Sequence, residues 1–283
     1  MPHFAAEVSG IDLSSDRTPD ATIAALRGTI DAFAVVVLRD QPLDDEAQIR
    51  FSERLGPLET IYRLKLETAA MDRHVNVLSN VDPETGRIYE PSDPRLRYWD
   101  GNELWHSDSS FKPVPAKYSI LSARVVPAEG GETLYADMRL VWDELPDERK
   151  AALRDLVAEH SLVYSRGISN PDRAFFSEEE KETLKPVRHA LVREHPVTRR
   201  LAVYAGSHAS HIEGLALDEG RAIIRALLER ATVPERVYRH RWRANDVVIW
   251  DNRSVVHRAT KFDAARHPRV MHRTTVAGDG PTV

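Results

Sequence analysis

The chain has 283 residues, 42% of them hydrophobic and 29% charged, with a net charge of -5 and no cysteine. That acidic balance argues against a general nucleic-acid binder, which needs a basic face, and the missing thiols exclude disulfides, thiolate zinc sites and cysteine nucleophiles. Met1 to Leu13 lacks the basic start and apolar run of a signal peptide, and no apolar run approaches bilayer-spanning length, so a cytoplasmic protein without a membrane partner is expected.

No linker or repeat divides the sequence, and one domain over 1–283 is expected. Asp20 is placed to cap a helix whose Ile23, Leu26, Ile30 and Phe33 recur at helical spacing. Val35 to Leu38 follows as a buried strand and is broken by Arg39-Asp40-Gln41-Pro42. Ala47, Phe51 and Leu55 share one face of a second helix that stops at Gly56-Pro57. Residues 59 to about 104 hold Pro83, Gly86, Pro91 and Pro94 among charges and read mainly as loop.

From Trp105 to Tyr135 the pattern is short strands with proline-rich turns, ending in Gly130-Gly131. A helical insertion is expected around 137–235. Asp137 starts one segment, Pro146 starts another, and Ser177 with Glu180 forms a capping-box pattern. Leu201 to Tyr204 reads as a strand within it, and Ile223, Ile224, Leu227, Leu228 and Ala231 give an amphipathic helix. Strands return at Val237–Trp242, Val247–Trp250 and Arg269–Val276. Strands at both ends of a long insertion point to a mainly β fold with α decorations, a sandwich or barrel core rather than an alternating parallel sheet.

His106-Ser107-Asp108 is an H-x-D pair, and on a strand residues two apart point to the same face. Alone it is weak, since roughly one such pair is expected by chance in a chain of this composition. His257 adds a third ligand on the apolar segment after Trp250-Asp251-Asn252-Arg253. Two histidines and one carboxylate leave one side of a divalent metal open, which suits iron(II) and dioxygen chemistry. Zinc in a hydrolase is the chemical competitor. His74, His160, His189, His195, His240 and His267 are read as surface or packing residues.

Arg269, Met271 and Arg273 alternate onto one face of a strand, which sets the two arginine stems about 13 Å apart. Each guanidinium can grip a carboxylate with two parallel hydrogen bonds, so the pair suits two separate acids in one pocket. Two surface arginines on an edge strand are the plainer alternative.

Together these residues closely resemble the taurine dioxygenase family of iron(II)/2-oxoglutarate oxygenases, and within it the 2,4-dichlorophenoxyacetate dioxygenase branch. The likeness runs nearly end to end, through Phe4-Ala5-Ala6, Leu78-Ser79-Asn80-Val81, Leu104 to Phe111, Gly130-Gly131-Glu132-Thr133, Ala136-Asp137-Met138-Arg139, His208-Ala209-Ser210-His211 and Trp250-Asp251-Asn252-Arg253. The resemblance implies a double-stranded β-helix, or jelly-roll, with helices outside. It implies His106, Asp108 and His257 as iron(II) ligands, and Thr133 with Arg269 at the distal carboxylate of 2-oxoglutarate. Arg273 matches the arginine that holds the substrate acid, Asn102 matches an active-site asparagine, and His208 matches a residue with either a pocket or a structural role.

The stretch from His257 to Arg269 is about one residue longer than the family pattern, which makes Arg266 a rival anchor. The implied reaction consumes dioxygen and 2-oxoglutarate and hydroxylates a small anionic substrate. An aryloxyalkanoate such as 2,4-dichlorophenoxyacetate would break down to a phenol and glyoxylate, with succinate and CO2 as coproducts. Taurine, another sulfonate or another carboxylate is the alternative within the family. A homo-oligomer, by default a dimer, is expected.

Overall fold

The computed structural model describes residues 4–60, 73–90, 93, 96, 100–169, 171 and 176–283. The largest element is a six-stranded sheet. In spatial order it runs β1 (Ala6–Val8), β2 (Val35–Leu38), β12 (Val247–Asp251), β4 (Ala116–Val125), β14 (Val270–Ala277) and β3 (Asn76–Ser79). Only β1 and β2 run parallel; the other neighbours are antiparallel. A second sheet pairs β11 (Val237–His240), β5 (Thr133–Asp137) and β13 (Val255–Ala259).

The unbroken apolar runs of β2 and β12 follow from burial on both faces. Val36, Leu38, Val247 and Ile249 pack against Ile23, Leu26 and Ile30 of helix Asp20–Phe33 and against Phe51 of helix Asp45–Glu53. Val35, Val37, Val248 and Trp250 point the other way, into a core shared with Tyr135, Val255 and Met271. That inner core therefore holds residues of both sheets, and the candidate site lies at its rim. At roughly 25 cal/mol per Å2 of apolar surface, each fully buried valine or leucine here contributes about 2 kcal/mol.

Residues 137–235 carry helices Met138–Asp143, Asp147–Leu153, Leu162–Ser169, Glu178–Thr183 and Leu217–Ala231. Asp137 accepts from Arg139 N and the Ser177–Glu180 capping box is complete, both as the sequence predicts. The region is less helical than expected. It holds a three-stranded sheet of β10 (Ala209–Ile212), β6 (Val157–His160) and β7 (Val187–Ala190), and a hairpin of β8 (Val192–Glu194) and β9 (Leu201–Val203). Leu201–Val203 is the strand the sequence predicts; the other four are three or four residues long, too short to carry a legible period.

Three further differences have physical reasons. Asp20 is the first helical residue rather than the cap; Pro19 occupies that position, and Asp20 pairs with Arg54. Residues 116–125 form one ten-residue strand at the centre of the sheet, where the sequence reads as several short ones. The 59–104 stretch supplies β3 and a 3-10 turn at Asp100–Glu103, although residues 61–72 within it lie outside those described. A four-residue edge strand fixed only by pairing with β14 has no local signal to read.

Candidate active site

The two histidines meet because their backbones pair. His106 N donates to His257 O at 3.0 Å, and His257 N donates to His106 O at 2.8 Å, an isolated antiparallel bridge on the free edge of β13. Their rings lie 4.3 Å apart. The H-x-D pair is not on a regular strand, as the sequence expectation had it. The chain leaves the bridge at His106 and turns at Asp108, with Ser109 left-handed at φ 53°. The turn still brings Asp108 to both rings, with His106 Nε2 at 3.7 Å from Oδ1 and His257 Nε2 at 3.6 Å from Oδ2.

One ligand atom from each of the three lies within 4.8 Å of the others, and all three residues are buried. His106 Nδ1 hydrogen-bonds Leu104 O at 2.7 Å, which leaves Nε2 as the free ligand atom. Burial pushes both imidazoles toward the neutral form that can donate a lone pair. Burial opposes a charge on Asp108 more strongly than any single neighbour favours it, but Arg273, His257, His106 and the Ser119 hydrogen bond together hold the carboxyl well below the ordinary range. A neutral–neutral–anionic set of two nitrogens and one oxygen fits iron(II).

Two further residues brace Asp108, one at its carboxylate and one at its backbone N–H, and the sequence assigns that role to neither. Ser119 Oγ donates to Asp108 Oδ2 at 2.6 Å, and Asp108 N donates to Asn252 Oδ1 at 3.0 Å. Asn252 Nδ2 closes the network on Ser119 Oγ, and Trp250 Nε1 also donates to Asn252 Oδ1. A serine in the otherwise apolar run Tyr118-Ser119-Ile120 was the available signal.

The open side of the triad faces a cavity of about 280 Å3 lined by His106, His257, Thr133, Asn102, Arg269 and Arg273, with Leu78, Leu121 and Phe262 among its apolar walls. Arg273 Nη1 donates to Asp108 Oδ1 at 2.7 Å. Arg269 Nη2 donates to Gly131 O at 3.2 Å, its Nε is buried without a hydrogen-bond partner, and no carboxylate among the described residues pairs with it. Burial lowers its pKa to about 10, so the cation is retained at neutral pH yet poorly solvated. An anionic ligand is the group such a site lacks.

Gly130 and Gly131, at φ +73° and +67°, bring the chain to this corner. A Cβ on Gly131 would stand 3.1 Å from Arg269 Nε, and one on Gly130 would stand 2.6 Å from Lys261 O.

The two candidate anchors differ in position. Arg266 is a surface residue with 82% of its side chain exposed, whereas Arg269 enters the cavity. His208 is buried but is not among the cavity-lining residues. Its Nδ1 hydrogen-bonds Ser165 Oγ at 2.8 Å and its ring sits edge-on to His106 at 5.9 Å. The placement corresponds to its structural role rather than to substrate contact. His160, His189, His195 and His240 are buried in packing, and His267 is on the surface.

Asp31, His195 and Asp251 form a second cluster with potential ligand atoms close together. Arg253 already fills it, bonding Asp251 at 2.8 and 2.9 Å and Asp31 at 2.9 Å. It is a buried ion-pair network that anchors the Trp250–Arg253 turn.

The fold and site define a mainly β protein with a buried two-histidine, one-carboxylate centre opening onto a cavity with two arginines. Residues 1–275 match the model of the family described as taurine catabolism dioxygenase TauD, TfdA. The chain is 37% identical over 277 residues to an alpha-ketoglutarate-dependent 2,4-dichlorophenoxyacetate dioxygenase of Burkholderia sp. (strain RASC), covering 97% of this chain and 92% of that one. It is also 37% identical over 282 residues to an (S)-phenoxypropionate/alpha-ketoglutarate-dioxygenase of Sphingobium herbicidovorans, covering 98% and 92%. Among solved structures, AAD-2 in complex with Mn(II) and N-oxalylglycine superposes with a TM-score of 0.89 at 44% identity, covering 99% of this chain and 96% of that one.

The chain belongs to the TauD/TfdA dioxygenase family. It is a 2-oxoglutarate-dependent dioxygenase, an oxidoreductase that uses iron(II), 2-oxoglutarate and dioxygen. Among the described residues no helix is long and apolar enough to cross a membrane.

Proposed function

We propose that the protein hydroxylates a small aryloxyalkanoic acid such as 2,4-dichlorophenoxyacetate, with His106, Asp108 and His257 as the metal ligands. The observation that carries this reading is the pairing of two arginines with different environments in one cavity. Arg269 has no acidic partner among the described residues, whereas Arg273 reaches Asp108. Two acids can therefore be held at once and kept apart.

Bound iron(II) with 2-oxoglutarate and dioxygen supplies the oxidising power, and 2-oxoglutarate leaves as succinate and CO2. The chain's own residues bind and orient. Arg269 and Thr133 hold the distal carboxylate of 2-oxoglutarate, and Arg273 holds the substrate acid on the open side of the triad. Asn102 lines the same cavity and faces the substrate. Leu78, Leu121 and Phe262 give an aryl ring an apolar wall and exclude water. Hydroxylation beside the ether oxygen yields a hemiacetal, which separates into a phenol and glyoxylate.

The chain is further proposed to form one domain, 1–283, on a double-stranded β-helix core. The two sheets sharing the inner core support that architecture. A cytoplasmic homo-oligomer with no nucleic-acid partner completes the reading.

A sulfonate would also satisfy Arg273, so the deciding experiment is a substrate panel. Succinate and phenol, with glyoxylate from aryloxyacetates and pyruvate from phenoxypropionate, are measured with aryloxyacetates, both enantiomers of phenoxypropionate, taurine and an alkyl sulfate. Phenol released in step with succinate supports the proposal. Turnover of taurine alone moves the protein to the sulfonate branch, and anaerobic hydrolysis without 2-oxoglutarate would favour a zinc hydrolase.

A further inference from the structure

Asn80 is the residue that follows edge strand β3, and it is 2% exposed. Its side-chain amide makes three hydrogen bonds to one loop. Nδ2 donates to Ala264 O at 2.7 Å and to His267 O at 2.9 Å, and Oδ1 accepts from Arg269 N at 2.7 Å. Its backbone adds a fourth, from Asn80 N to Arg269 O at 3.2 Å.

Arg269 lies one residue outside β14, and the pairing of β14 with β4 slips register between Val270 and Met271. On the β4 side the ladder therefore does not hold the backbone of Arg269. On the β3 side the pairing, in register through Val270 and Ser79, ends with the bond from Asn80 N to Arg269 O. The Asn80 amide takes over that task, because its Oδ1 supplies the acceptor that a strand neighbour would otherwise provide. The same amide pins the turn across residues 264–267, the stretch that carries exposed Arg266 away from the cavity.

We propose that Asn80 is the positioning residue of Arg269, and that it sets the enzyme's grip on 2-oxoglutarate without touching it. This rests on the reading of Arg269 as the co-substrate anchor. Asn80 also lines the cavity, so direct contact with the organic acid is the competing role. Its chemistry opposes that role. Both Nδ2 hydrogens are occupied, and the remaining lone pair on Oδ1 repels an anion.

The test compares Asn80→Ala, Asn80→Asp, Arg269→Gln and the Asn80→Ala/Arg269→Gln double variant. Affinity for N-oxalylglycine is measured by calorimetry on Mn(II)-loaded protein, beside KM for 2-oxoglutarate and for the organic acid. Asn80→Asp keeps the acceptor for Arg269 N and loses both donors, so it reports on the loop even where Asn80→Ala folds poorly. Displacing Arg269 is expected to weaken N-oxalylglycine binding and raise KM for 2-oxoglutarate by on the order of tenfold or more. KM for the organic acid should move less than about twofold, and Asn80→Ala should add little in the Arg269→Gln background.

Hydrogen exchange across residues 264–269 should accelerate in Asn80→Ala and stay unchanged in Arg269→Gln. The proposal is overturned by an equal rise in both KM values, by additive effects in the double variant, or by a lower Tm with unchanged N-oxalylglycine affinity. If Arg269→Gln itself leaves N-oxalylglycine binding intact, the assignment of Arg269 fails, and the role of Asn80 fails with it.

Discussion

Arg273 and Asp108 are joined by a 2.7 Å hydrogen bond across 165 residues of sequence. The guanidinium proposed to hold the substrate thus touches the carboxylate proposed to hold the metal. An acid bound at Arg273 would sit within one side chain of the triad, and the same contact joins His257, His106 and Ser119 in keeping Asp108 ionised.

Arg273→Ala is expected to raise KM for the organic acid by roughly ten- to a hundredfold, the equivalent of a charged hydrogen bond of about 1.5–3 kcal/mol. KM for 2-oxoglutarate should change little, because Arg269 and Thr133 are separate contacts. Steady-state kinetics with each ligand varied in turn checks this. Parallel loss of both affinities would show that Arg273 is not a substrate-specific anchor.

Ser119→Ala removes the 2.6 Å hydrogen bond to Asp108 Oδ2 and opens the Asn252 network, yet leaves all three ligands in place. Loss of such an outer partner typically costs about ten- to a hundredfold in metal affinity. Titration of iron(II) against a competing chelator measures it. Metal affinity equal to that of the unmodified protein would mean that the triad is rigid without its supports.

Acid sensitivity should arise at His160 and His189. Burial pushes their pKa values down from 6.5 to about 3 and about 4, and Arg193 nearby adds to the effect in both. His160 stacks on Tyr204 at 5.4 Å and meets His189 edge-on at 5.1 Å. The unfolded chain binds protons at these sites near pH 6.5 while the folded chain does not. Their contribution is therefore intact above pH 6.5 and is lost as pH falls toward 4. His160→Phe should flatten the decline in Tm between pH 6.5 and about 4.5, above the range of ordinary carboxylates. An unchanged slope would place the acid sensitivity elsewhere.

Arg253→Met leaves Asp31 and Asp251 buried without their cation. Removing one partner of a buried pair costs about 3–5 kcal/mol, to be read from the urea midpoint with m unchanged. A cost below about 1 kcal/mol would mean that His195, also bonded to Asp251 at 2.9 Å, neutralises the cluster alone.

Much of this protein is legible in its residues. Helical spacing placed Ile23, Leu26 and Ile30 on a buried face, and the apolar runs at 35–38 and 247–250 marked strands buried on both sides. The motif residues His106, His257, Arg269 and Arg273 line one cavity, and Asp108 lies against the two histidines. Edge strand β3 went unread because four residues held only by a distant partner carry no period of their own. The role of His208 stays open in the sequence because a buried histidine beside His106 has the same sequence appearance as one facing the cavity.

By itself the sequence determined which faces are buried, which residue types could bind a metal and two acids, and hence the reaction class. Those properties are local, since periodicity and side-chain chemistry act within a few residues. Only the tertiary structure decided that His106 meets His257 through a backbone bridge, that Ser119 and Asn252 brace Asp108, and that Asn80 bonds the backbone of Arg269. Asn252 lies 144 residues from Asp108, and Asn80 lies 189 from Arg269. At such separations a polar group's partner is chosen by how the sheets pack, because every buried donor and acceptor must find whichever counterpart the packing brings within reach.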